Sequence, residues 1–447
     1  MNWFIILIYV WPYIWNSGGN DFAKSIDTDI QGKIIGTVWV WDTLYRSVIL
    51  KFDQSGNLLW ESYILPDDAK GSCIEKLKTY GEKIYAVGYV TLQDKDIGTL
   101  WKIDPYGNVL QEIRWTEWEY SYIKGIDIDQ EGNIYLVGNI YQDGKYRTRI
   151  LKCDTLFNIL WEVIDSSSLH TYGNDIAISQ NFVYICAEEW DTITSKWKWS
   201  LSQYGKDGSF GWKNIIAGNP SEDNHGLCVA CDENENVYTG GYYWQPPGYN
   251  WWIEKRNASG IQMWAYSIGL SNVHDILFDI DVSGNYVLLA GYKDIPPTWR
   301  WAMEKRDKET GSLICSHTFS MSNEERFGQA IGIKGIENGY MYIIGHRLNV
   351  NIQSWDVRVA LYDPNCNMVE IKEKEISKGT KSHLRLNPFK GITTIISDSK
   401  EPFIIYTLDG RKIKKVIPGE IFGKELPPGK YYLKRKNEIL EFIKLGG

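Results

Sequence analysis

DQEGNIYLVGNIYQDGKYRTRILKCDTLFNILW, residues Asp129 to Trp161, contains a polar turn, an apolar strand ending in Gly138, a hydrophilic loop, a second strand, another turn and a third strand ending in Trp161. Alternating apolar runs of five to eight residues between Asp, Asn and Gly turns are the mark of hairpin-connected strands. The same pattern returns along the chain. Its third strand reappears at Leu58 to Trp60, Val109 to Gln111, Phe210 to Trp212, Ile261 to Trp264, Gly311 to Cys315 and Asn365 to Val369, at intervals of 50 to 54 residues. The strand before it recurs as well, ending at Gly36, Gly88, Gly138, Ala187, Gly241, Gly291 and Gly345. A glycine kept at a strand end marks a bend or a close backbone approach.

With a preceding strand such as Tyr122 to Ile128, each cassette reads as four strands. Four-stranded units repeated at this period form β-propellers, because one blade alone leaves both of its faces bare. The predicted fold is therefore all-β: a seven-bladed β-propeller of four-stranded blades over residues 20–377, followed by a small β-sandwich at 378–447. Asp-rich turns such as Asp127 to Asn133, Asp281 to Asn285 and Asp53 to Asn57 sit between strands and lack the closing Glu of a calcium loop, so they read as hairpin turns.

The chain has 447 residues, 21 Trp and 29 Tyr, and a formal charge of -8. Its Lys and Arg are scattered, which gives no footprint for nucleic acid. Seven cysteines at unrelated places suggest no disulfide framework, and Cys228 and Cys231 read as buried apolar residues on opposite faces of a strand. Residues 1–19 read as a signal peptide or as a strand, IILIYVW, closing the propeller; their apolar run is short for a bilayer. The mature protein is expected to have no transmembrane span and to be a monomer.

FDQSGNLLW (Phe52 to Trp60) and DIDQEGNIYLVG (Asp127 to Gly138) resemble the bacterial β-propeller repeat family of secreted and surface-anchored proteins. Asp307 to Leu313 is also similar to the repeats of pyrroloquinoline-quinone dehydrogenases, but the adjacent cysteine pair of those enzymes is missing. The Trp-Asp pairs at 41, 190 and 355 do not fall where WD repeats place them. Further on, Leu386 to Phe389, Thr393 to Ile395, Ile405 to Ile413 and Leu426 to Leu433 resemble, in order, the C-terminal sorting domain of type IX secretion cargo. That resemblance implies an immunoglobulin-like sandwich, contact with secretion machinery, and a secreted or outer cell-surface location.

Loops between blades, and between the second and third strands, share one face of a propeller, where ligand sites gather. Here those loops carry His170, Asp175, His225, His274 and Asp275, with three histidines expected in equivalent loops. Such residues are able to bind a ligand or to cap the inner strands. Trp190, Trp244 and Trp299 are expected on the same face, as stacking surfaces. The leading expectation is a binding module for glycan or protein, with no catalytic residue assigned and no metal or cofactor. The alternative is a polysaccharide-active enzyme, a hydrolase or lyase, using these histidines and aspartates.

Overall fold

A computed structural model of the chain describes residues 13–369, apart from 43, 55, 217–220, 270–272, 297, 320–324 and 351–352. Beyond them it describes the strands at 393–394, 403–407, 412–416, 421–422, 429–435 and 438–444. The chain divides into two compact units, Met1–Ile371 and Lys372–Gly447. The fold is all-β and built from repeated four-stranded antiparallel units, as in a β-propeller.

The quoted stretch lies in a sheet of Ser121–Ile128, Ile134–Gln142, Lys145–Cys153 and Ile159–Ile164, paired in that order. The three following repeats form separate sheets of the same kind, and the first two are joined by one parallel bridge between Tyr45 and Gly71. The last repeat supplies Glu325–Gly335, Met341–Asn349 and Ser354–Tyr362. Its fourth strand comes from the N-terminus, where Tyr13–Trp15 pairs with Val357 to Val359. The apolar run Ile5 to Trp11, expected as a closing strand, lies outside the described residues.

Apolar side chains gather between neighbouring repeats. Tyr135, Val137 and Ile150 meet Ile176, Val183 and Ile185 of the next repeat, and Val38, Val48 and Phe52 meet Ile344, Val357 and Val359 of the last. Because both faces of a sheet are buried this way, the second and third strands read as continuous apolar runs.

The strand-end glycine has a steric cause. The first strand bulges between Ile123 and Gly125, and a Cβ on Gly138 would stand 1.9 Å from the carbonyl oxygen of Tyr122. Gly36 is not equivalent to it: Val38, paired with Ala23 beside the first repeat's bulge, takes that place. The Asp-x-x-Gly-Asn turn is equally local. Asp129 Oδ1 accepts from the backbone N–H of Glu131 at 3.0 Å and of Asn133 at 2.9 Å, while Gly132 takes φ +86°. Asp281 and Asp127, quoted above as turn residues, instead lie on first strands, at Asp275–Ser283 and Ser121–Ile128.

In four repeats an outer tryptophan, Trp60, Trp161, Trp212 or Trp264, reaches the next repeat. The indole N–H of Trp161 donates to Lys206 O at 2.9 Å, and its ring lies over Gly208, where a Cβ would come within 3.1 Å. Trp60 and Trp212 do the same with Pro105 O and Ala258 O, each at 3.0 Å. One cassette pair replaces this contact with a covalent bond. Cys315 stands where Trp161 does, Cys366 stands at the place of Gly208 in the following turn, and the two form a disulfide. The expectation that the cysteines form no disulfide is thus corrected. Cys228 and Cys231 pack in different inter-repeat clusters.

First strands are tied by ions. Asp27, Lys78, Asp127, Asp281 and Lys334 occupy one position of the cassette; Lys78 meets Asp127 at 3.2 Å, and Lys334 meets Asp27 at 3.2 Å. Two residues closer to the strand start, Lys76 bridges Asp175 at 2.7 Å and Asp279 at 3.7 Å. Glu75 stands next along the strand, between Lys24 and Lys124, at 3.0 Å from each. The carboxylates also accept backbone N–H groups of the following repeat: Asp27 from Thr79, Asp127 from Ile178, Asp175 from Val229, Asp279 from Ile333 and Asp281 from Gly335, at 2.8 to 3.0 Å.

Burial alone would raise the Glu75 carboxyl, but Lys124 and Lys24 outweigh it and hold it down to about 2. For Asp279 burial wins, with Asp175 and Asp281 adding repulsion against the pull of Lys76, and the carboxyl is pushed up to about 6.

In the second unit, Lys412–Val416, Phe403–Thr407, Gly429–Arg435 and Glu438–Lys444 form a four-stranded antiparallel sheet in that order, and Thr393–Thr394 pairs with Ile421–Phe422. Leu386 to Phe389 and Leu408 to Arg411 lie outside the described residues.

Two outcomes are expected. Trp161→Ala should cost about 3 kcal/mol of stability, read from the urea midpoint, since it removes a large ring and a hydrogen bond together. A carboxyl raised in the fold favours the folded state most below its unfolded value, near 4, and this contribution is lost as pH rises through about 6. Asp279→Asn should therefore gain on the parent by roughly 2 kcal/mol between pH 4 and pH 7. Glu75 has the opposite sign, and its contribution is lost only as pH falls from its unfolded value toward about 2. Urea titrations of both proteins at the two pH values check this.

Candidate functional site

The first residues of the first strands, the ends of the second strands and the starts of the third strands come together at one end of each sheet. Pairing register places them across from one another: in the first repeat, Phe22 pairs with Trp39, and Trp41 with Tyr45. In the other repeats the place of Tyr45 is taken by Asp96, Tyr146, Trp197, Tyr249, Trp299 and Trp355. The place of Trp39 is taken by Tyr89, Asn139, Glu188, Tyr242, Tyr292 and His346. Aromatic residues fit these strand ends because β-structure tolerates large rings and the neighbouring repeat supplies a second ring to meet them.

Ring contacts run from repeat to repeat. Tyr146 meets Tyr172 at 5.1 Å, Tyr249 meets His274 at 5.2 Å, Trp299 meets Phe327 at 5.2 Å, and Trp355 meets Phe22 at 5.7 Å. Trp190 packs edge-on to Trp197 at 5.1 Å, and Trp244 to Tyr249 at 5.1 Å; Trp299 stacks on Tyr292 at 5.3 Å. All three tryptophans named from sequence are only half-buried, so each ring keeps a solvent-facing part.

The histidines divide. His170 and His274 hold the same position, just ahead of a first strand, and each Nδ1 accepts the backbone N–H that opens a third strand, from Tyr146 and Tyr249 respectively, at 3.3 Å. His225 lies two residues further on, inside its strand, so the three are not equivalent. Its ring stacks on Tyr242 at 4.6 Å, and its Nδ1 is 3.3 Å from Glu188 Oε2. Glu188 Oε1 also accepts from Asn174 Nδ2 at 3.1 Å, and Asn174 donates to Gly226 O at 2.8 Å. A carboxylate holding one ring nitrogen fixes the imidazole orientation and directs the other nitrogen elsewhere. Burial, followed by the charge of Glu188, raises the Tyr242 phenol.

The two aspartates lie apart from this cluster. Asp175 is buried among the ions of the first strands, bound to Lys76 and to the backbone of Val229. Asp275 is buried at a strand start, where its Oδ1 accepts from Asp294 N at 3.1 Å. Ser72, Ser121 and Thr171 occupy the same place and accept backbone N–H groups of the preceding repeat, from Ser47, Gly98 and Thr148. Glu188 and Tyr242 were not singled out from sequence. Their signal is positional: each falls at a cassette place that carries a ring in most other repeats.

Among the described residues no group of three or more His, Cys, Asp or Glu side chains is arranged to hold a metal ion. No helix among them is long and apolar enough to cross a membrane.

No family model matches the chain, and no curated protein matches it. Solved structures do. A polysaccharide lyase, Uly1, superimposes with a TM-score of 0.52 at 7% identity, over 76% of this chain and 90% of its own. A protein of unknown function from Bacteroides caccae gives a TM-score of 0.39 at 9% identity, over 61% of this chain and 88% of its own. At these identities the likeness to Uly1 concerns the fold: the chain has a β-propeller-like arrangement of repeated four-stranded sheets.

Proposed function

We propose that residues 20–377 form a seven-bladed β-propeller that binds glycan at the aromatic end of its blades. One observation carries this reading: half-buried rings at equivalent strand ends touch across successive repeats, giving flat apolar surface beside polar groups on rigid strands. Sugar rings present apolar C–H faces that stack on such surfaces, while their hydroxyls seek nearby hydrogen-bonding groups. Support for the closed ring comes from the N-terminal strand, which completes the last repeat's sheet, and from the Lys334 to Asp27 ion pair, which joins the last first-strand to the first.

The protein is a monomer that is exported or displayed at the cell surface, and its C-terminal unit is an immunoglobulin-like sandwich that engages secretion machinery or an anchor. The Cys315–Cys366 bond favours this location, since such bonds persist in oxidising compartments.

A second reading has one observation in its favour. The 3.3 Å approach of His225 Nδ1 to Glu188 is the arrangement of an oriented general base, which suits a polysaccharide hydrolase or lyase.

Affinity gel electrophoresis through β-1,3-glucan, mannan, xylan and galactan tests the binding reading. The parent should be retarded by at least one of them, and Trp244→Ala and Trp299→Ala should each weaken retardation about tenfold while keeping the parent's melting temperature within a few degrees. Unchanged retardation of both variants overturns the reading. Release of reducing sugar or unsaturated product by the parent, lost in His225→Ala and Glu188→Gln, would establish the second one.

A further inference from the structure

We propose that the first repeat carries its own stacking site for a pyranose unit, on the exposed pair Trp41 and Tyr45. The site extends the glycan-binding reading above and rests on it.

The argument begins with what the second repeat lacks. In the third, fifth, sixth and last repeats, the ring that opens the third strand is met by a ring at the start of the following repeat: Tyr172, His274, Phe327 or Phe22. After the first repeat the corresponding places hold Gly71 and Cys73. Gly71 lies flat against Tyr45, bridged to it in parallel, and a Cβ there would be 3.2 Å from the Tyr45 Cβ.

Tyr45 packs on rings of its own sheet, with no ring of the next repeat opposite. It stacks on Trp39 at 5.5 Å and 11° between planes, and Trp41 tilts against it at 5.6 Å. Trp41 is left 48% exposed and Tyr45 45%, while their counterparts Trp190, Trp197, Trp244 and Tyr249 are more covered. Tyr45 is held by Trp39 and by the bridge to Gly71, and Trp41 leans on Tyr45, which limits the freedom Tyr45 loses on binding.

A carboxylate, Asp42, follows Trp41 at the hairpin tip. Arg46, on the opposite face of the sheet, is paired with Asp42 and lies 4.8 Å over the ring of Tyr63. Lys24 Nζ is 5.7 Å from the Trp39 ring. A flat, exposed ring pair with a carboxylate at the adjoining hairpin tip fits a hexopyranose: its C–H face meets Trp41 and Tyr45, and its hydroxyls meet Asp42.

The test uses the full chain in the same polysaccharide gels. Trp41→Ala and Tyr45→Ala should each weaken retardation about tenfold, and Tyr45→Phe, which keeps the stacking ring, should match the parent. Melting curves of the exposed Trp41→Ala variant guard against loss of fold. If Trp244→Ala and Trp299→Ala lose retardation while Trp41→Ala and Tyr45→Ala do not, this site is overturned and the glycan-binding reading stands. If all four bind like the parent, or no gel retards the parent, both are overturned.

Discussion

A carboxylate on one first strand that accepts a backbone N–H of the next repeat is the contact on which the arrangement of repeats depends. Asp27, Asp127, Asp175, Asp279 and Asp281 all make it. First strands are bulged and lie at an edge of their sheets, so their backbone groups lack partners on one side. The carboxylates satisfy them across the joint. Lys76, Lys78 and Lys334 then balance the charge, which offsets the cost of burying it.

Everything at the aromatic end inherits its geometry from those joints. Rings from neighbouring repeats meet because the first strands hold a fixed stagger, and His170 and His274 close the same joints by accepting third-strand N–H groups. The two capping histidines are therefore committed to structure. His225 is different, since its partner is a carboxylate on the preceding repeat and its ring lies on Tyr242.

Period and turn chemistry were legible in the sequence because they are local: Asp129, Gly132 and Asn133 make their turn with one another, and any copy shows it. Other features required side chains to be compared at matched places across copies. Cys315 and Cys366 look unrelated until Cys315 is set beside Trp161 and Cys366 beside Gly208. The ions were hidden for a similar reason: Asp127 and Asp281 stand next to turns and take on their colour, although their partners lie a full cassette away. Bulges add a further error, since a bulge or shorter strand displaces equivalence, as with Gly36 and Val38. Which rings stay exposed depends on what the next repeat offers, and a single strand does not reveal that.

The charges at one cassette place also act as an address. Taken in order, the repeats carry Asp27, Lys78, Asp127, Ala177, Ala230, Asp281 and Lys334, an uneven series. Exchanging two repeats, such as the second and third, would set like charges against each other, Asp127 beside Asp27. Near-identical cassettes invite mispairing while a chain folds, and this uneven series makes the wrong orders electrostatically distinct from the right one. Inherited changes at these positions are accordingly expected to come in pairs.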